Sequence, residues 1–436
     1  MSINKVYDFI GIGIGPFNLG LAALAAPVGE LSTLFLDQAA GFDWHPGMML
    51  PDATLQVPFM ADLVTLADPC SPYSFLNYMK QSGRLYRFYI RENFFLLRKE
   101  YNAYCRWVIK QLPNCLFGKK VLAINYDADR ACYVLQVKDL QKQEIGTYYC
   151  KKLVLGTGTS PKMPEFAQQT KNDRIIHSSN YLHFKSDILE QRSVSIIGSG
   201  QSAAEIFQDL LPETANGLQL NWFTRPDRFF PMEYSKLTLE LTSPEYVDHF
   251  YSMAPEKRKK ILSRQNSLFK GINYDLINSI FDSLYSMSID NPELPFRIMP
   301  NCQLNHISPN LDDSCQLHLQ QVEQEQDFSV NTDFVVMCTG YVYKEPSFLE
   351  GIQQRIRRTE NNLYDVKRNY AIDTLGEEIF VQNAELHTHG FVTPDLGMAA
   401  YRNSVILNSI LGKEYYTVEK SIAFQQFSLQ ENYVNA

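Results

Sequence analysis

The chain has 436 residues, of which 45% are hydrophobic and 20% are charged, and its formal net charge is −8. A chain of this length exceeds a single hydrophobic core, so we expect two or three domains. The acidic balance excludes the basic surface that is typical of proteins bound to nucleic acid or to anionic membranes. No apolar run approaches the length of a membrane span, so we expect no membrane segment.

The cysteines and the N-terminus indicate a cellular compartment. Eight cysteines are scattered along the chain without any CxxC pair. The first apolar segment contains Asp8 and then a glycine turn, which differs from a secretory signal peptide. Free thiols suit a reducing environment, and we therefore expect a cytoplasmic protein.

The first decisive motif lies near the N-terminus. The apolar run from Tyr7 to Ile12 predicts a buried parallel strand, and a helix is expected from Leu19 to Ala26. The turn between them has the order expected of a dinucleotide-binding fingerprint, with Gly13, Gly15, Pro16 and Asn18 as candidate cofactor-binding residues. Gly13 permits the tight turn, Gly15 lets the backbone approach a pyrophosphate, and Asn18 stands in place of the third glycine.

An acidic residue follows this motif at the expected distance. The apolar run 32–36 ends at Asp37, which is 24 residues after Gly13. A carboxylate at this place accepts hydrogen bonds from ribose hydroxyls and favours an adenosine without a 2′-phosphate. The glycine motif alone is weak evidence, because a tight turn without a nucleotide would look the same. Strand, turn, helix and acid in register together indicate a nucleotide site.

A second motif repeats the pattern 185 residues after Gly13. An apolar strand from Ser193 to Ile197 leads into a GxGxxA turn. The candidate cofactor residues of this turn are Gly198, Gly200, Gln201 and Ser202. The next strand, 218–223, has no acid at its tip and is followed instead by Arg225 and Arg228. Guanidinium groups there suit a 2′-phosphate and predict NADPH, although surface arginines in a loop remain the alternative.

Each motif is followed by a buried strand with a Thr-Gly turn, the second at Thr339 and Gly340. Two nested nucleotide folds predict an α/β flavoprotein with two Rossmann-like domains, one for FAD and one for NADPH, and a helical block lies between the second fold and Asp333. We expect the FAD domain at 1–185, completed by 333–412. The NADPH domain is expected at 186–332, with the helical insert around 242–290, and a C-terminal tail at 413–436.

Several competing classes lack their signatures in this chain. A flavin disulfide reductase needs a redox CxxC, and no CxxC is present. The stretch 160–193 lacks the FxGxxxHxxx pattern of Baeyer–Villiger and related flavin monooxygenases. His387 and His389 form a lone HxH without further ligands nearby, which is usually structural, so we expect no metal site. A non-catalytic flavoprotein remains an alternative.

The motifs in combination resemble a known family. They are the turn ending in Asn18, the stretch 44–47 (WHPG), the segment 56–62, the stretch 72–78, the turn 198–202 and the tripeptide 388–390. Across about residues 5–412 the chain resembles the siderophore amine N-hydroxylases, which are the L-lysine N6- and L-ornithine N5-monooxygenases. The resemblance implies a soluble FAD- and NADPH-dependent enzyme, usually a homotetramer, in which the small helical region contributes to the substrate site. It also implies that Trp44, His45 and Gln56 line the flavin, with Gln56 in a catalytic role, whereas residue type alone favours packing for Trp44.

Departures from the family pattern indicate the substrate. Amino-acid-hydroxylating members use a lysine to pair with the substrate α-carboxylate, and Ala61 occupies that position here. Gly397 aligns with a substrate-binding serine, and Leu239 aligns loosely with a substrate-binding asparagine. A buried carboxylate without its cation costs roughly 3–5 kcal/mol, so the resemblance implies an amine without that group. Putrescine, cadaverine, 1,3-diaminopropane and histamine fit.

Two points stay open at this level. Another cation, such as Lys80 or Arg106, could replace the missing lysine, and the enzyme would then hydroxylate lysine or ornithine. For a diamine, the distant ammonium requires an anion, and Asp395, Glu240 and Asp62 are candidates without a ranking. In either case we expect NADPH to reduce FAD, O2 to give a C4a-hydroperoxyflavin, and the small neutral primary amine to attack it, as in hydroxamate siderophore biosynthesis.

Overall fold

The computed structural model describes residues 5–170, 172–290 and 293–429. It has a mixed α/β architecture. The strands, numbered along the chain, are β1 (Val6–Ile12), β2 (Thr33–Leu36), β3 (Thr54–Pro58), β4 (Phe95–Leu97), β5 (Cys115–Leu116), β6 (Lys119–Asp127), β7 (Cys132–Asp139), β8 (Glu144–Leu155), β9 (Ser160–Pro161), β10 (Ile175–His177), β11 (Ser193–Ile197), β12 (Gln219–Phe223), β13 (Phe296–Met299), β14 (Cys302–Pro309), β15 (Cys315–Gln321), β16 (Gln326–Thr332), β17 (Phe334–Met337), β18 (Tyr341–Val342) and β19 (Ile379–Val381).

The helices connect and cover these strands. They are α1 (Pro16–Ala25), α2 (Phe75–Gln81), α3 (Leu85–Arg91), α4 (Arg98–Ile109), α5 (Glu165–Gln169), α6 (Tyr181–Leu189), α7 (Gln201–Leu210), α8 (Lys236–Leu239), α9 (Pro244–Ser252), α10 (Pro255–Arg264), α11 (Asn266–Phe269), α12 (Tyr274–Asp290), α13 (Leu386–His389) and α14 (Ala399–Leu411). Short 3-10 helices lie at Pro46–Met48, Ser178–Asn180, Leu211–Asn216, Ser347–Arg355 and Leu396–Met398.

The first sheet carries the N-terminal glycine motif. Its strand order is β5-β2-β1-β8-β7-β6, and β19 also pairs with β8. Strand β1 lies between β2 and β8 and runs parallel to both, whereas β6, β7 and β8 form an antiparallel meander. Residues 9–12 of β1 are buried. This confirms the prediction that the apolar run forms a buried parallel strand, because both faces of such a strand are covered.

The second sheet is entirely parallel, in the order β10-β17-β11-β12-β13. This arrangement corrects two of the expected domain boundaries. Strand β10 lies before residue 186, and β17 lies after residue 332, yet both belong to the second sheet rather than to the first. In the sequence β17 is an apolar run with a Thr-Gly turn, like the end of β8, and only pairing partners distinguish their sheets.

Two further regions complete the fold. Strands β14, β15 and β16 form an antiparallel sheet whose apolar side packs in one cluster with Ile197 and Phe223 of the second sheet. Helices α8 to α12 form the expected helical block, and the hydroxyl oxygen of Ser243 accepts a hydrogen bond from the Tyr246 amide at the start of α9. Among the described residues, no helix combines the length and apolar character needed to cross a bilayer.

Candidate active site

The first glycine turn has the shape that a bound pyrophosphate requires. Gly13 has a φ of 88°, and a Cβ there would lie 2.3 Å from the carbonyl oxygen of Gly156. Only glycine avoids both the backbone strain and the clash. Gly15 differs, because a Cβ built on it meets no atom within 4 Å. Pro16 begins α1, so the open side of Gly15 lies at a helix N-terminus, where unpaired N–H groups attract anions. These residues fit FAD.

The side chain of Asn18 has a different task from the expected one. It is fully buried and donates to the carbonyl oxygen of Gly13 over 2.8 Å. Its own oxygen accepts from Nε2 of Gln382 over 2.6 Å. The Asn18 side chain therefore connects the glycine turn to the loop after β19. Because both its polar groups are hydrogen-bonded within the protein, we expect it to stabilise the turn rather than to contact the cofactor.

Asp37 lies against the same turn. Its Oδ2 accepts from the amide of Ile14 over 2.7 Å, and its Oδ1 accepts from the amide of Ala39 over 2.7 Å. A carboxylate has about four acceptor positions, so two positions remain for ribose hydroxyls. The expected adenosine contact thus fits this geometry.

The second turn repeats this construction at the end of β11. Gly198 has a φ of 146°, and a Cβ there would lie 2.3 Å from the carbonyl oxygen of Cys338. Gly200 precedes α7, whose first two residues are Gln201 and Ser202. A Cβ at Gly200 would lie 3.5 Å from the carbonyl oxygen of Lys270, an ordinary contact distance. The N-terminus of α7 provides the second place for a nucleotide phosphate.

The other predicted cofactor residues near this turn differ in whether their polar groups already have partners in the protein. Thr339 donates its hydroxyl to the carbonyl of Lys162, and the carbonyl of Gly340 accepts from the Lys162 amide over 2.9 Å. Arg228 forms an ion pair with Asp227 at 3.0 Å and lies over the ring of Phe230. Arg225 is exposed and has no ion-pair partner within the described ranges. Arg225 is therefore the arginine whose guanidinium is available for a 2′-phosphate.

The aromatic residues of the 44–47 stretch lie beside the second domain. The ring centroids of Trp44 and His45 are 4.9 Å apart, and His45 lies 5.7 Å from Tyr341. The side chain of His45 is accessible to solvent, although many protein atoms lie around its ring. Desolvation within this cleft and the nearby Arg98 lower the pKa of His45 to about 4, so its imidazole is neutral near pH 7.

Gln56 connects the two domains directly. Its side-chain amide donates to Oε1 of Gln201 over 3.3 Å, and the Gln201 amide donates to Glu205 over 2.8 Å. Glu205 in turn accepts two hydrogen bonds from Arg98. Burial raises the pKa of Glu205, and Arg98 opposes this effect. The structure thus brings the predicted Gln56 and Gln201 together at the cleft.

Arg98 and Glu205 were not among the sequence candidates. Glu205 is a single acid within the apolar run 203–207, and such a buried charge in a helix requires a partner. This signal was available in the sequence. The sequence could not show that Arg98 is this partner, because Arg98 lies 107 residues earlier, at the start of α4.

The candidate substrate residues are placed in very different surroundings. Ala61 is buried, with 6% of its surface exposed, whereas 49% of Leu239 is exposed. Glu240 accepts backbone hydrogen bonds from Phe424 and Gln425, both over 3.0 Å, and is thereby occupied by the C-terminal segment, residues 421–427. Leu239 and Glu240 thus lie on an exposed part of the helical block, and Glu240 is held by the C-terminal segment.

The three candidate anions can now be ranked. Asp62 is buried and accepts from the amides of Val64, Thr65 and Phe75 and from the Thr65 hydroxyl, so its oxygens are saturated. The carboxylate of Asp395 accepts one hydrogen bond, from the Gly397 amide over 2.7 Å. Burial raises the pKa of Asp395, and the hydrogen bond from Gly397 and the charge of Arg402 oppose this effect.

Gly397 leaves space beside the Asp395 carboxylate. A Cβ at Gly397 would lie 3.2 Å from Oδ1 of Asp395, which is tighter than an ordinary contact. A serine at 397 would therefore press on the carboxylate. The adjacent Leu396 packs against the hydrophobic cluster of the first domain, to which Val57 and Phe59 also contribute.

Arg106, His387 and His389 bind other groups of the protein, and Lys80 is exposed on the surface. Arg106 pairs with Asp43 at 3.0 Å and donates to the carbonyl of Phe42, and Lys80 is exposed in the last turn of α2. His387 hydrogen-bonds to the carbonyl of Tyr364, and His389 hydrogen-bonds to that of Arg368. No group of three or more metal-ligating side chains occurs in the described part of the chain.

Two dinucleotide folds in contact through Gln56–Gln201 and Arg98–Glu205 are the architecture of flavoenzymes that use FAD and a nicotinamide dinucleotide. Residues 5–343 match the family described as L-lysine 6-monooxygenase/L-ornithine 5-monooxygenase, and the chain belongs to this family. This membership decides against a non-catalytic flavoprotein.

Several relatives resemble the chain over nearly its full length. The putrescine N-hydroxylase of Shewanella oneidensis is 50% identical over 97% of this chain and 84% of its own. That of Acinetobacter baumannii is 46% identical over 98% of this chain and 95% of its own. The crystal structure of DfoA bound to FAD, the cadaverine monooxygenase of the desferrioxamine pathway in Erwinia amylovora, is 53% identical and covers 98% of this chain and 100% of its own, with a TM-score of 0.96.

Proposed function

We propose that this enzyme N-hydroxylates one amino group of an aliphatic diamine, such as putrescine or cadaverine, in the biosynthesis of a hydroxamate siderophore. The observation that carries the proposal is that the Asp395 carboxylate accepts one hydrogen bond and keeps free acceptor positions. Ala61 stands where amino-acid-hydroxylating relatives are expected to have their anchoring lysine. The relatives that act on putrescine and cadaverine support it.

Asp395 is proposed to bind the distant ammonium of the diamine. Its carboxylate has free acceptor positions, and burial raises its pKa because it removes water from the charged form. An ammonium group bound there would replace that lost water as a hydrogen-bond donor. Asp62 lacks free positions and Glu240 is held by the C-terminal segment. A lysine or ornithine carboxylate would instead lie near a second carboxylate and would be repelled.

The reacting amino group must be neutral. An alkylamine has a pKa of roughly 10.4, so its deprotonation near pH 8 costs about 3 kcal/mol. A site that excludes water lowers this cost, because burial disfavours the ammonium form. Bound FAD supplies the hydride acceptor and the oxygen activation. The proposed contribution of Gln56, Trp44 and His45 is to line the flavin, while Gly198, Gly200 and Arg225 bind NADPH.

We further propose a cytoplasmic homotetramer with FAD in the first domain and NADPH in the second. All eight cysteines are free, which supports a reducing compartment. The tetramer rests on the family resemblance.

The test is a hydroxylamine assay of the FAD-loaded enzyme with putrescine, cadaverine, 1,3-diaminopropane, histamine, butylamine, lysine and ornithine. We expect a diamine to give the highest kcat/KM. Asp395→Asn should raise the diamine KM about 10- to 100-fold, since hydrogen bonds to charged groups contribute about 1.5–3 kcal/mol, but should change butylamine turnover little. Ala61→Lys should also hinder diamine turnover, because it places a second cation in a buried position.

The matched control is Asp187→Asn, which removes an exposed carboxylate from α6. It should leave all amines unaffected. If lysine or ornithine is hydroxylated faster than every amine without a carboxylate, the proposed substrate class is wrong. If Asp395→Asn affects butylamine and putrescine equally, Asp395 does not bind the distant ammonium.

A further inference from the structure

Helix α12 carries an apolar surface that the described residues leave exposed. Tyr274, Phe281, Tyr285 and Ile289 are between 58% and 70% exposed. At about 100° per residue they lie within an arc of about 80° on one side of the helix. The opposite side of α12, with Ile277, Ile280 and Leu284, packs in the core of the second domain. We call the four exposed side chains the α12 surface.

A second surface of this kind lies on the first domain. Tyr86, Tyr89 and Ile90 on helix α3 are between 72% and 78% exposed, and we call them the α3 surface. Their spacing places them on one side of the helix, since residues three and four apart are neighbours. Phe88, on the other side, is buried against Phe59 and Phe75.

The two surfaces carry opposite charges. Asp275 and Asp282 flank the α12 surface, and neither carboxylate has an ion-pair partner within the described ranges. Arg87 and Arg91 flank the α3 surface. Arg87 has no partner among the described residues, and Arg91 donates only to the backbone carbonyls of Asn93 and Phe95. The described residues thus leave the charges of each surface without an opposite charge.

We propose that the α3 surface of one chain binds the α12 surface of a second copy, with the arginines facing the aspartates. Aromatic residues with flanking charges of opposite sign are typical of protein interfaces. With about 200 Å² for each fully exposed side chain, one α3–α12 contact buries about 900 Å² in total. Two reciprocal contacts related by a two-fold axis bury about 1,800 Å², which is the size of a stable interface.

This inference goes beyond the proposed homotetramer, because it names the faces that meet. A membrane could cover the α3 surface, since basic aromatic helices bind anionic lipids. The acidic α12 surface does not suit such lipids. A second copy is the occupant that accounts for both surfaces at once.

Charge reversal tests the pairing. The oligomeric state of the FAD-loaded enzyme would be measured by sedimentation velocity for the double variants Arg87→Glu/Arg91→Glu and Asp275→Arg/Asp282→Arg. Each should raise the dissociation constant at least tenfold. The quadruple variant, with both reversals, should reassociate, because the complementary charges are restored with opposite signs.

The control Lys257→Glu/Lys260→Glu changes the charge by the same amount on exposed positions of α10 and should leave the assembly intact. Flavin absorbance and amine turnover report that each variant is folded. A complementary test mixes Tyr89→Cys chains with Tyr285→Cys chains in a Cys70→Ser background, and a short bifunctional maleimide should then link different chains.

Three outcomes would overturn the proposal. The wild type could be monomeric at micromolar concentration. The single-face reversals could leave the tetramer intact, in which case the tetramer stands and these faces are not its interface. The enzyme could cosediment with phosphatidylserine vesicles through Arg87 and Arg91, in which case a membrane occupies the α3 surface.

Discussion

Arg98 of helix α4 and Glu205 of helix α7 form a bidentate ion pair, with N–O distances of 2.9 and 2.7 Å, between the two nucleotide-binding domains. Arg98 also donates to the carbonyl of Met48, directly after the aromatic stretch of the cleft. Glu205 extends the contact through Gln201 to Gln56. The ion pair therefore fixes the position of the second glycine turn relative to the proposed flavin site.

We expect Arg98→Met to destabilise the enzyme by about 3–5 kcal/mol, because it leaves the buried Glu205 without its cation. Arg98→Met/Glu205→Met should recover most of this stability, since no buried charge remains. Thermal unfolding of the holoenzyme measures both effects.

The double variant should still release more H2O2 per NADPH oxidised, because the domains lose the contact that orients them. Hydroxylamine and peroxide yields with putrescine check this point. Normal coupling in a stable double variant would show that the ion pair contributes to stability alone.

Gly15→Val should yield a folded, colourless protein. The added side chain has space in the protein itself, with no atom within 4 Å of its Cβ, and would instead occupy the proposed pyrophosphate position. Gly29 has similar open space, so Gly29→Val is the matched control and should remain yellow. The flavin absorbance of the purified proteins is the measurement. Full FAD content in Gly15→Val would contradict the assignment of this turn.

Arg225→Ala should raise the KM for NADPH about tenfold or more and leave the KM for NADH nearly unchanged, because only NADPH carries the 2′-phosphate. Arg228→Ala should have a smaller effect, since Arg228 already pairs with Asp227. Steady-state NADPH and NADH oxidation distinguishes the two variants. An equal rise in both KM values would exclude a contact with the 2′-phosphate.

The contact between Glu240 and the C-terminal segment should depend on pH. The hydrogen bond from the Phe424 amide lowers the pKa of Glu240. The hydrogen bonds from the side chain and the amide of Gln425 lower it further. A lowered carboxylate pKa means that the contact is fully stabilising above about pH 4.5 and is lost as the pH falls through the lowered value.

Hydrogen exchange of the amides at 424–425, corrected for intrinsic rates, should therefore be slower at pH 7 than at pH 3.5. Glu240→Gln should reduce the protection at pH 7 and most of its pH dependence. Unchanged protection in this variant would show that Glu240 does not hold the segment.

The local patterns of the sequence predicted much of the fold and part of the site. Gly13, Gly198 and the buried strands before them follow from steric rules that act within a few residues, so the two nucleotide turns could be read directly. Ser243 at the start of α9 and Gly412 after α14 are local signals of the same kind. The absence of a lysine at Ala61 is likewise visible in the sequence.

The tertiary structure decided what depends on contacts between distant residues. The sequence could not assign β17 to its sheet, pair Arg98 with Glu205, or rank Asp395 above Asp62 and Glu240, because each depends on which partners the folded chain supplies. Backbone geometry is set by short stretches of chain, whereas the saturation of a carboxylate is set by donors from anywhere in the molecule. That physical difference separates the cofactor turns, whose pattern is visible in the sequence, from the proposed substrate anion, whose free acceptor positions appear only in the folded protein.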